Sequence, residues 1–207
     1  MSQRVKRRYR SPRRTEQASA TQREIMEAAR RLFSAQGYGS TTMEAVAGAA
    51  DISVATVYLS FGSKFGLLSA LVNDAAEDPS LDVQQVLNAV GLERQLAIGV
   101  HLIRQLHERT VPISGILRSG RGTDPRLAEL WDDWRARHLA AVSQVARHLV
   151  AAGLLRGGVD HGKATDVLYT LAGSETYRQL VIERGWRPDQ FEEWLTDAVR
   201  QLLLAKP

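Results

Sequence analysis

The chain has 207 residues, of which 44% are hydrophobic and 24% charged, values that are typical of a globular protein with a sizeable core. It contains no cysteine, which excludes disulfide frameworks, thiolate metal sites and cysteine nucleophiles, and no apolar run approaches the roughly 18 residues of a membrane span. Residues 1–76 carry 11 Lys and Arg against 6 Asp and Glu, a net charge of +5, whereas the remainder carries 16 against 17. The basic excess marks the N-terminal part as the region that meets a polyanion. The cations at the N-terminus are not followed by an apolar segment, so we expect a cytoplasmic protein without a membrane partner.

Residues 1–18 contain seven Lys and Arg before the first acid, Glu16, and they have no apolar periodicity. This composition predicts a disordered basic arm. The arm either lies along phosphates, with Arg7 and Arg8 among the contacts, or enters a minor groove, or is a solvated tail. We expect a contribution to binding that is mostly nonspecific.

A first helix is predicted from about residue 19 to residue 36. Thr21 and Glu24 have the spacing of a capping box, and Gly37 is placed to end the helix. Apolar residues recur on one helical face: Ile25, Ala28, Ala29, Leu32 and Phe33.

Two short helices separated by a tight turn are predicted at 42–61. Thr41 and Glu44 read as a capping box for the first helix, and Ser53 reads as the N-cap of the second. This is the layout of a helix-turn-helix, whose second helix enters the major groove of DNA. The alternative is a plain helical hairpin whose hydroxyl groups face solvent.

The expected DNA contacts are hydroxyl-bearing, small or cationic side chains. Tyr58 is long enough to reach a phosphate, and Lys64, beside the N-terminus of the next helix, combines positive charge with free backbone N–H groups. The full set is Thr41, Thr42, Ser53, Val54, Ala55, Thr56, Tyr58, Ser60 and Lys64.

The fourth helix is predicted to stop at Asp78-Pro79, which divides the chain into a DNA-binding domain, 19–79, and a C-terminal domain, 80–207. One or two helices, interrupted near Gly91, are predicted at about 83–107, and further helices are predicted at about 124–153, 160–184 and 188–204. Pro112 and several glycines predict a short helix with loops between residues 110 and 123. We find no strand pattern, so the chain is predicted to be all-α, with about nine helices.

The C-terminal domain offers a candidate cavity but no catalytic or metal site. The five histidines lack the i, i+4 spacing of a helical metal site, and Gly-x-Ser-x-Gly is absent, so we predict no metal, no cofactor and no enzyme activity. Trp131 and Trp134 lie on one helical face with His138 one turn later, an arrangement that either belongs to the core or lines a cavity for an apolar ligand.

The run from Ile25 to Leu71 resembles the DNA-binding domain of the TetR family of bacterial regulators. The resemblance is carried by the order and spacing of Ile25, Ala28-Ala29, Leu32-Phe33, Gly37-Tyr38, Thr41-Thr42, Val46-Ala47, Ser53, Thr56-Val57-Tyr58, Phe61, Lys64 and Leu67-Leu68.

The resemblance implies an effector pocket and a dimer in the C-terminal helices. The pocket candidates are Trp131, Trp134, His138, Arg118, Tyr169 and Glu175. In the family the last two helices pair with those of a second copy, which implies an interface at Leu168, Leu171, Leu195, Val199 and Leu202. Both apolar stripes can also face the chain's own core.

The resemblance therefore implies a homodimeric repressor that binds a palindromic operator in double-stranded DNA and is released by a small, largely apolar effector. A ligand-independent or architectural DNA-binding protein, and an enzyme with an attached helix-turn-helix, are the alternatives. A cavity in the C-terminal domain would favour the effector-released repressor over the ligand-independent protein. Acid and base groups that converge in a pocket would indicate the enzyme.

Overall fold

A computed structural model describes residues 12–76, 81–120, 122 and 124–205. This part of the chain contains helices and no strand, which confirms the all-α prediction. Arg7, Arg8 and the predicted stop at Asp78-Pro79 lie outside the described residues. The helices are α1 (Pro12–Ser40), α2 (Met43–Ala49), α3 (Val54–Phe61), α4 (Lys64–Ala76), α5 (Gln84–Leu87), α6 (Leu92–Gly120), α7 (Pro125–Ala151), α8 (His161–Leu171), α9 (Ser174–Tyr177), which continues as a π-helical turn (Arg178–Glu183), and α10 (Pro188–Leu203).

The first compact unit extends to Leu71, inside α4, and so it ends earlier than the predicted boundary at residue 79. Its helix α1 begins at Pro12, and the predicted arm therefore overlaps the helix over residues 12–18. Proline favours the first position of a helix, and no helix-breaking residue lies between Pro12 and the predicted start at residue 19. The helix can therefore begin at Pro12 and include the last part of the basic stretch. The core of the unit consists of apolar side chains: Ile25, Ala28, Ala29, Phe33, Met43, Val46, Ala47, Val57, Leu67, Leu68 and Leu71.

The second unit begins at Val72 and contains α5 to α10. The helices α6, α7, α8 and α10 pack around one core. An isolated antiparallel bridge between Leu155 and Leu204 ties the loop after α7 to the end of α10. The largest buried side chains that form this core include Leu149, Leu168, Tyr177, Phe191, Leu195 and Leu203.

Two predictions for the second unit are wrong. The stretch 110–120 is helical, because α6 runs through Pro112. Val111 and Ile113 on either side of this proline are buried, and their packing outweighs the hydrogen bond that proline cannot donate. The predicted helix at 160–184 is broken at Gly173, whose extended backbone caps α9.

Among the described helices, none is by itself long and apolar enough to cross a membrane, and only α2 and α3 taken together, a sharply bent pair, reach that length and composition.

Candidate nucleic-acid interface and ligand cavity

The direction of the chain turns by 112° between α2 and α3, within the range of a helix-turn-helix. Asp51 in the turn has a left-handed backbone conformation, with φ of 54°. Ser53 caps α3 as predicted: its hydroxyl accepts a hydrogen bond from the Thr56 backbone N–H at 3.1 Å. The two helices are thus fixed by local chemistry, and α3 keeps one face free for contacts.

The N-cap of α2 is Thr42 and not Thr41, so the predicted Thr41–Glu44 capping box is wrong. Thr42 Oγ1 accepts from the Ala45 backbone N–H at 3.1 Å. The Thr41 side chain is fully buried and donates to the Gly37 carbonyl at 2.9 Å, where it closes the end of α1. Thr41 therefore holds the fold and has no surface to offer to DNA.

The solvent-facing side of α3 carries most of the predicted contacts. Ala55 and Tyr58 are exposed, and the Ser53 and Thr56 hydroxyls lie 2.7 Å apart at the start of the helix. Leu59, one turn after Ala55, was missed by the sequence analysis although 89% of its side chain is exposed. A leucine within an apolar helix reads as core, and only its position on the outer face shows otherwise.

The partly exposed Val54 and Ser60 complete this surface. We call the outward side of α3, formed by Ser53, Val54, Ala55, Thr56, Tyr58, Leu59 and Ser60, the α3 face.

A close backbone turn joins α3 to α4. Gly62 has φ of 71°, which favours glycine. A Cβ atom on Gly66 would lie 2.1 Å from the carbonyl oxygen of Phe61, so no other residue fits there without moving the backbone. The direction in which α3 ends is thereby fixed relative to α4.

The ammonium group of Lys64 is used inside the fold. Its Nζ donates to the carbonyl oxygens of Tyr38 at 2.9 Å, Gly39 at 3.2 Å and Thr41 at 3.0 Å. It also lies 4.6 Å from the centroid of the Tyr38 ring. An ammonium has three donors, and all three are occupied. Lys64 therefore fastens the C-terminal end of α1 and the residue Thr41 that follows it to α4, which differs from the predicted phosphate contact.

Replacement of Lys64 by alanine should lower the free energy of unfolding by about 2 kcal/mol, because three charge-assisted hydrogen bonds are lost. Urea denaturation of the DNA-free protein measures this change, and Lys163→Ala, at an exposed lysine on α8, is the control. Unchanged stability together with a shallower salt dependence of DNA binding would return Lys64 to the phosphate role.

In the second unit, all six predicted pocket residues line one cavity of about 740 Å³, which we call the outer cavity. Trp131, Trp134 and His138 come from α7, and Tyr169 comes from α8. Arg118 from α6 and Glu175 from α9 form an ion pair on the wall. Helical periodicity alone predicted that Trp131, Trp134 and His138 lie on one side of α7. The break at Gly173 places α9, with Glu175, on the wall of the same outer cavity.

A second, smaller cavity of about 160 Å³ adjoins the first and was not predicted. We call it the inner chamber. Its walls are almost wholly aliphatic, and its polar members are Gln95, His138 and His148, of which Gln95 and His148 bind each other at 3.0 Å. The lining residues shared with the outer cavity are Leu81, Leu106, His138 and Ala141.

Two buried imidazoles lie beside these cavities. His107 Nε2 is 2.8 Å from the carbonyl oxygen of Ala172, and since a carbonyl only accepts, this nitrogen carries the proton. The pKa of His107 is lowered to about 4, mainly by burial. The hydrogen bond to the Ala172 carbonyl acts in the opposite direction and raises the pKa, whereas the neighbouring His138 lowers it slightly further. Burial also lowers the pKa of His138. Both rings are thus neutral near pH 7, and His107 Nδ1 and His138 Nε2 are buried without a hydrogen-bond partner in the described structure.

The predicted dimer residues are only partly on the surface. Leu168, Leu195 and Val199 lie in the core of their own chain, and Leu171 packs against that core. Leu202 is 49% exposed on α10, and Ile182, which was not predicted, is 63% exposed on the π-helical turn. Where a wide apolar stripe divides into core and surface depends on the helix crossings, which the sequence does not show.

Within the described residues, no group of three or more His, Asp or Glu side chains is placed to hold a metal ion.

A family model described as bacterial regulatory proteins, tetR family, matches residues 25–71. No curated protein matches the chain in sequence. Among solved structures, NalD, the secondary repressor of the MexAB-OprM multidrug efflux pump in Pseudomonas aeruginosa, is 21% identical; the alignment covers 93% of this chain and 100% of NalD, with a TM-score of 0.71. The triclosan complex of SmeT, a repressor from Stenotrophomonas maltophilia, is 19% identical, with 90% and 93% covered and a TM-score of 0.75. Residues 25–71 thus form a tetR-family DNA-binding domain, and the chain has the fold of the TetR family of transcriptional regulators.

Proposed function

We propose that the protein is a homodimeric repressor that binds a palindromic operator through α3 and is released from it by a small, largely apolar effector. The observation that carries this proposal is the α3 face, a helix-turn-helix surface without a covering element among the described residues, in a chain whose other unit contains two adjoining cavities.

The α3 face has the chemistry of a major-groove surface. Ala55 and Leu59 are apolar and one turn apart, which suits contact with thymine methyl groups, and the nearby hydroxyls suit base edges or phosphates. Tyr58 is exposed at the side, where its phenol can reach a phosphate. The net charge of +5 on residues 1–76 adds sequence-independent attraction, to which Arg7 and Arg8 contribute.

The two cavities support a small effector. Their walls combine aromatic and aliphatic side chains with a few polar groups, as ligand sites usually do. SmeT shares the fold and was solved with triclosan, and NalD is a repressor by name. A ligand-independent regulator would not need such space, so the cavities favour the effector-released repressor over that alternative.

Release requires that effector and operator favour different conformations. Helix α4 begins in the first unit and continues into the second, so it is the covalent element through which a change in one reaches the other. The coupling is reciprocal: operator DNA weakens effector binding by the same factor by which the effector weakens DNA binding.

Selection of bound sequences from a random DNA pool tests the proposal. We expect an inverted repeat whose half-sites are about 34–36 Å apart, since each recognition helix of a dimer enters a successive major groove. Substitution of Leu59 by alanine should change the preferred base at one symmetric pair of positions. A pool without an inverted repeat would contradict a symmetric dimer on a palindromic operator.

A further inference from the structure

The inner chamber and the outer cavity are placed to hold the two ends of one molecule. They share wall residues at Leu81, Leu106, His138 and Ala141, so a ligand that fills the chamber emerges beside His138 into the outer cavity. The chamber, at about 160 Å³ and with aliphatic walls, matches a well-studied engineered cavity of about 150 Å³ that binds benzene. It therefore accommodates an aromatic ring or a short alkyl chain and nothing charged.

The carboxylate on the wall of the outer cavity is already occupied. Glu175 accepts hydrogen bonds from Arg118 and from Arg178, and more weakly from Gln179 at 3.4 Å. The two arginines and the nearby hydrogen bonds hold the pKa of Glu175 below its usual value. This carboxylate has little capacity left for a positively charged ligand.

Of the remaining polar groups of the outer cavity, Arg135 and Arg137 can only donate, and the hydroxyl and amide groups can both donate and accept. The neutral rings of His107 and His138 each have one nitrogen without a partner. Arg135 Nε donates to the Tyr169 hydroxyl at 3.0 Å, so the guanidinium keeps its terminal N–H groups and the phenol keeps its own proton to donate. Arg137 also lines the cavity. Among the described residues, neither Arg135 nor Arg137 forms an ion pair, although Asp132 on the same helix contributes to raising the pKa of Arg135 after the Tyr169 hydroxyl.

From this arrangement we infer that the effector is an amphipathic carboxylate, with an apolar tail in the inner chamber and its anionic head bound by Arg135, Arg137 and the Tyr169 hydroxyl. This inference rests on the proposed function and narrows it, since the effector is apolar in its body but carries one negative charge. Arginine guanidinium and a phenol O–H suit a carboxylate, whose oxygens only accept.

Three probes of equal chain length separate the head groups: octanoate, octanol and octylammonium. Binding is measured by calorimetry and by the fluorescence of the indoles in the cavity. We expect octanoate to bind at least about tenfold more tightly than octanol, which is the worth of one charge-assisted hydrogen bond, and octylammonium to bind most weakly. From butanoate to octanoate, each added methylene should tighten binding about fourfold until the chamber is full.

The variant Arg135→Gln should weaken octanoate binding about tenfold and leave octanol binding unchanged. Arg147→Gln is the matched control, because Arg147 is exposed on the same helix and lines neither cavity. Circular dichroism of both variants checks that they are folded.

The outcomes separate the inference from the function on which it rests. If octanol or octylammonium binds as tightly as octanoate, if none of the three binds, or if Arg147→Gln weakens octanoate as much as Arg135→Gln does, the inference is wrong. If all three probes release the selected operator equally well, the proposed effector-released repressor is supported, but the inference that the effector is a carboxylate is wrong. If the three probes bind in the expected order but do not release the operator, the carboxylate site is supported and the proposed release by an effector is wrong.

Discussion

The Leu202→Glu variant should be a folded monomer that has lost operator binding. Leu202 is half exposed on α10, so a glutamate there is solvated in an isolated chain, and the fold is kept. In an apolar interface the same carboxylate would be desolvated and unpaired, at a cost of several kcal/mol. Because two linked heads bind far more tightly than one, loss of the dimer should weaken operator binding by about 10² to 10⁴-fold.

Sedimentation equilibrium gives the mass of the variant, circular dichroism its helicity and a gel-shift titration its affinity. Ile182→Glu should behave in the same way, and Val90→Glu is the control, because Val90 is an exposed apolar residue between α5 and α6. Leu168, Leu195 and Val199 are unsuitable, since a charge in their place would unfold the chain's own core. If Leu202→Glu still sediments as a dimer, or if the wild type is a monomer at micromolar concentration, α10 is not the interface.

Acidification from pH 6.5 to pH 4 should remove about 3 kcal/mol of folding free energy through His107 alone. Burial lowers the pKa of this histidine to about 4 in the folded state, against 6.5 for an exposed histidine. Well above pH 6.5 the ring is neutral in both states, and it contributes no pH dependence. As the pH falls below 6.5, His107 becomes protonated in the unfolded chain but stays neutral in the folded chain until about pH 4. The free energy of unfolding therefore decreases between pH 6.5 and pH 4.

Urea unfolding at a series of pH values measures the slope in the wild type and in His107→Gln. Glutamine keeps an N–H donor for the Ala172 carbonyl but does not titrate, whereas the carboxylates titrate alike in both proteins. The variant should therefore lose about 3 kcal/mol less than the wild type over this range. Equal slopes would mean that His107 is accessible to protons in the folded protein.

Local chemistry was readable from the sequence, and it located the starts of α3 and α7. Ser53 caps α3, as predicted. Asp124 caps α7 with Pro125 at its first position, which agrees with the predicted start of this helix at about residue 124. Gly37, which was predicted to end the first helix, has φ of 83° and kinks α1, which then continues to Ser40. A cap or a turn depends on a few adjacent residues, so its signal is present in a short stretch of sequence.

Features that depend on packing were not readable. Thr41 and Thr42 are chemically equivalent neighbours, and only the position of the core decides which is buried. The hydrogen bonds of Lys64 reach carbonyls more than twenty residues away, and a basic side chain near a helix start reads as a phosphate contact without them. The inner chamber is a space left between helices, and no residue pattern encodes an unfilled volume.

The close turn between α3 and α4 divides this region into positions that can vary and positions that cannot. At Gly66 any side chain would meet the Phe61 carbonyl oxygen, so a substitution there requires the backbone of the turn to move. At Ala55 and Leu59, by contrast, side chains end in solvent. A library built to change operator preference should therefore randomise the outer positions of α3 and keep Gly62 and Gly66 constant. In a lineage of proteins with this DNA-binding domain, new DNA preferences can arise by single substitutions on α3, while the turn that orients the helix stays unchanged.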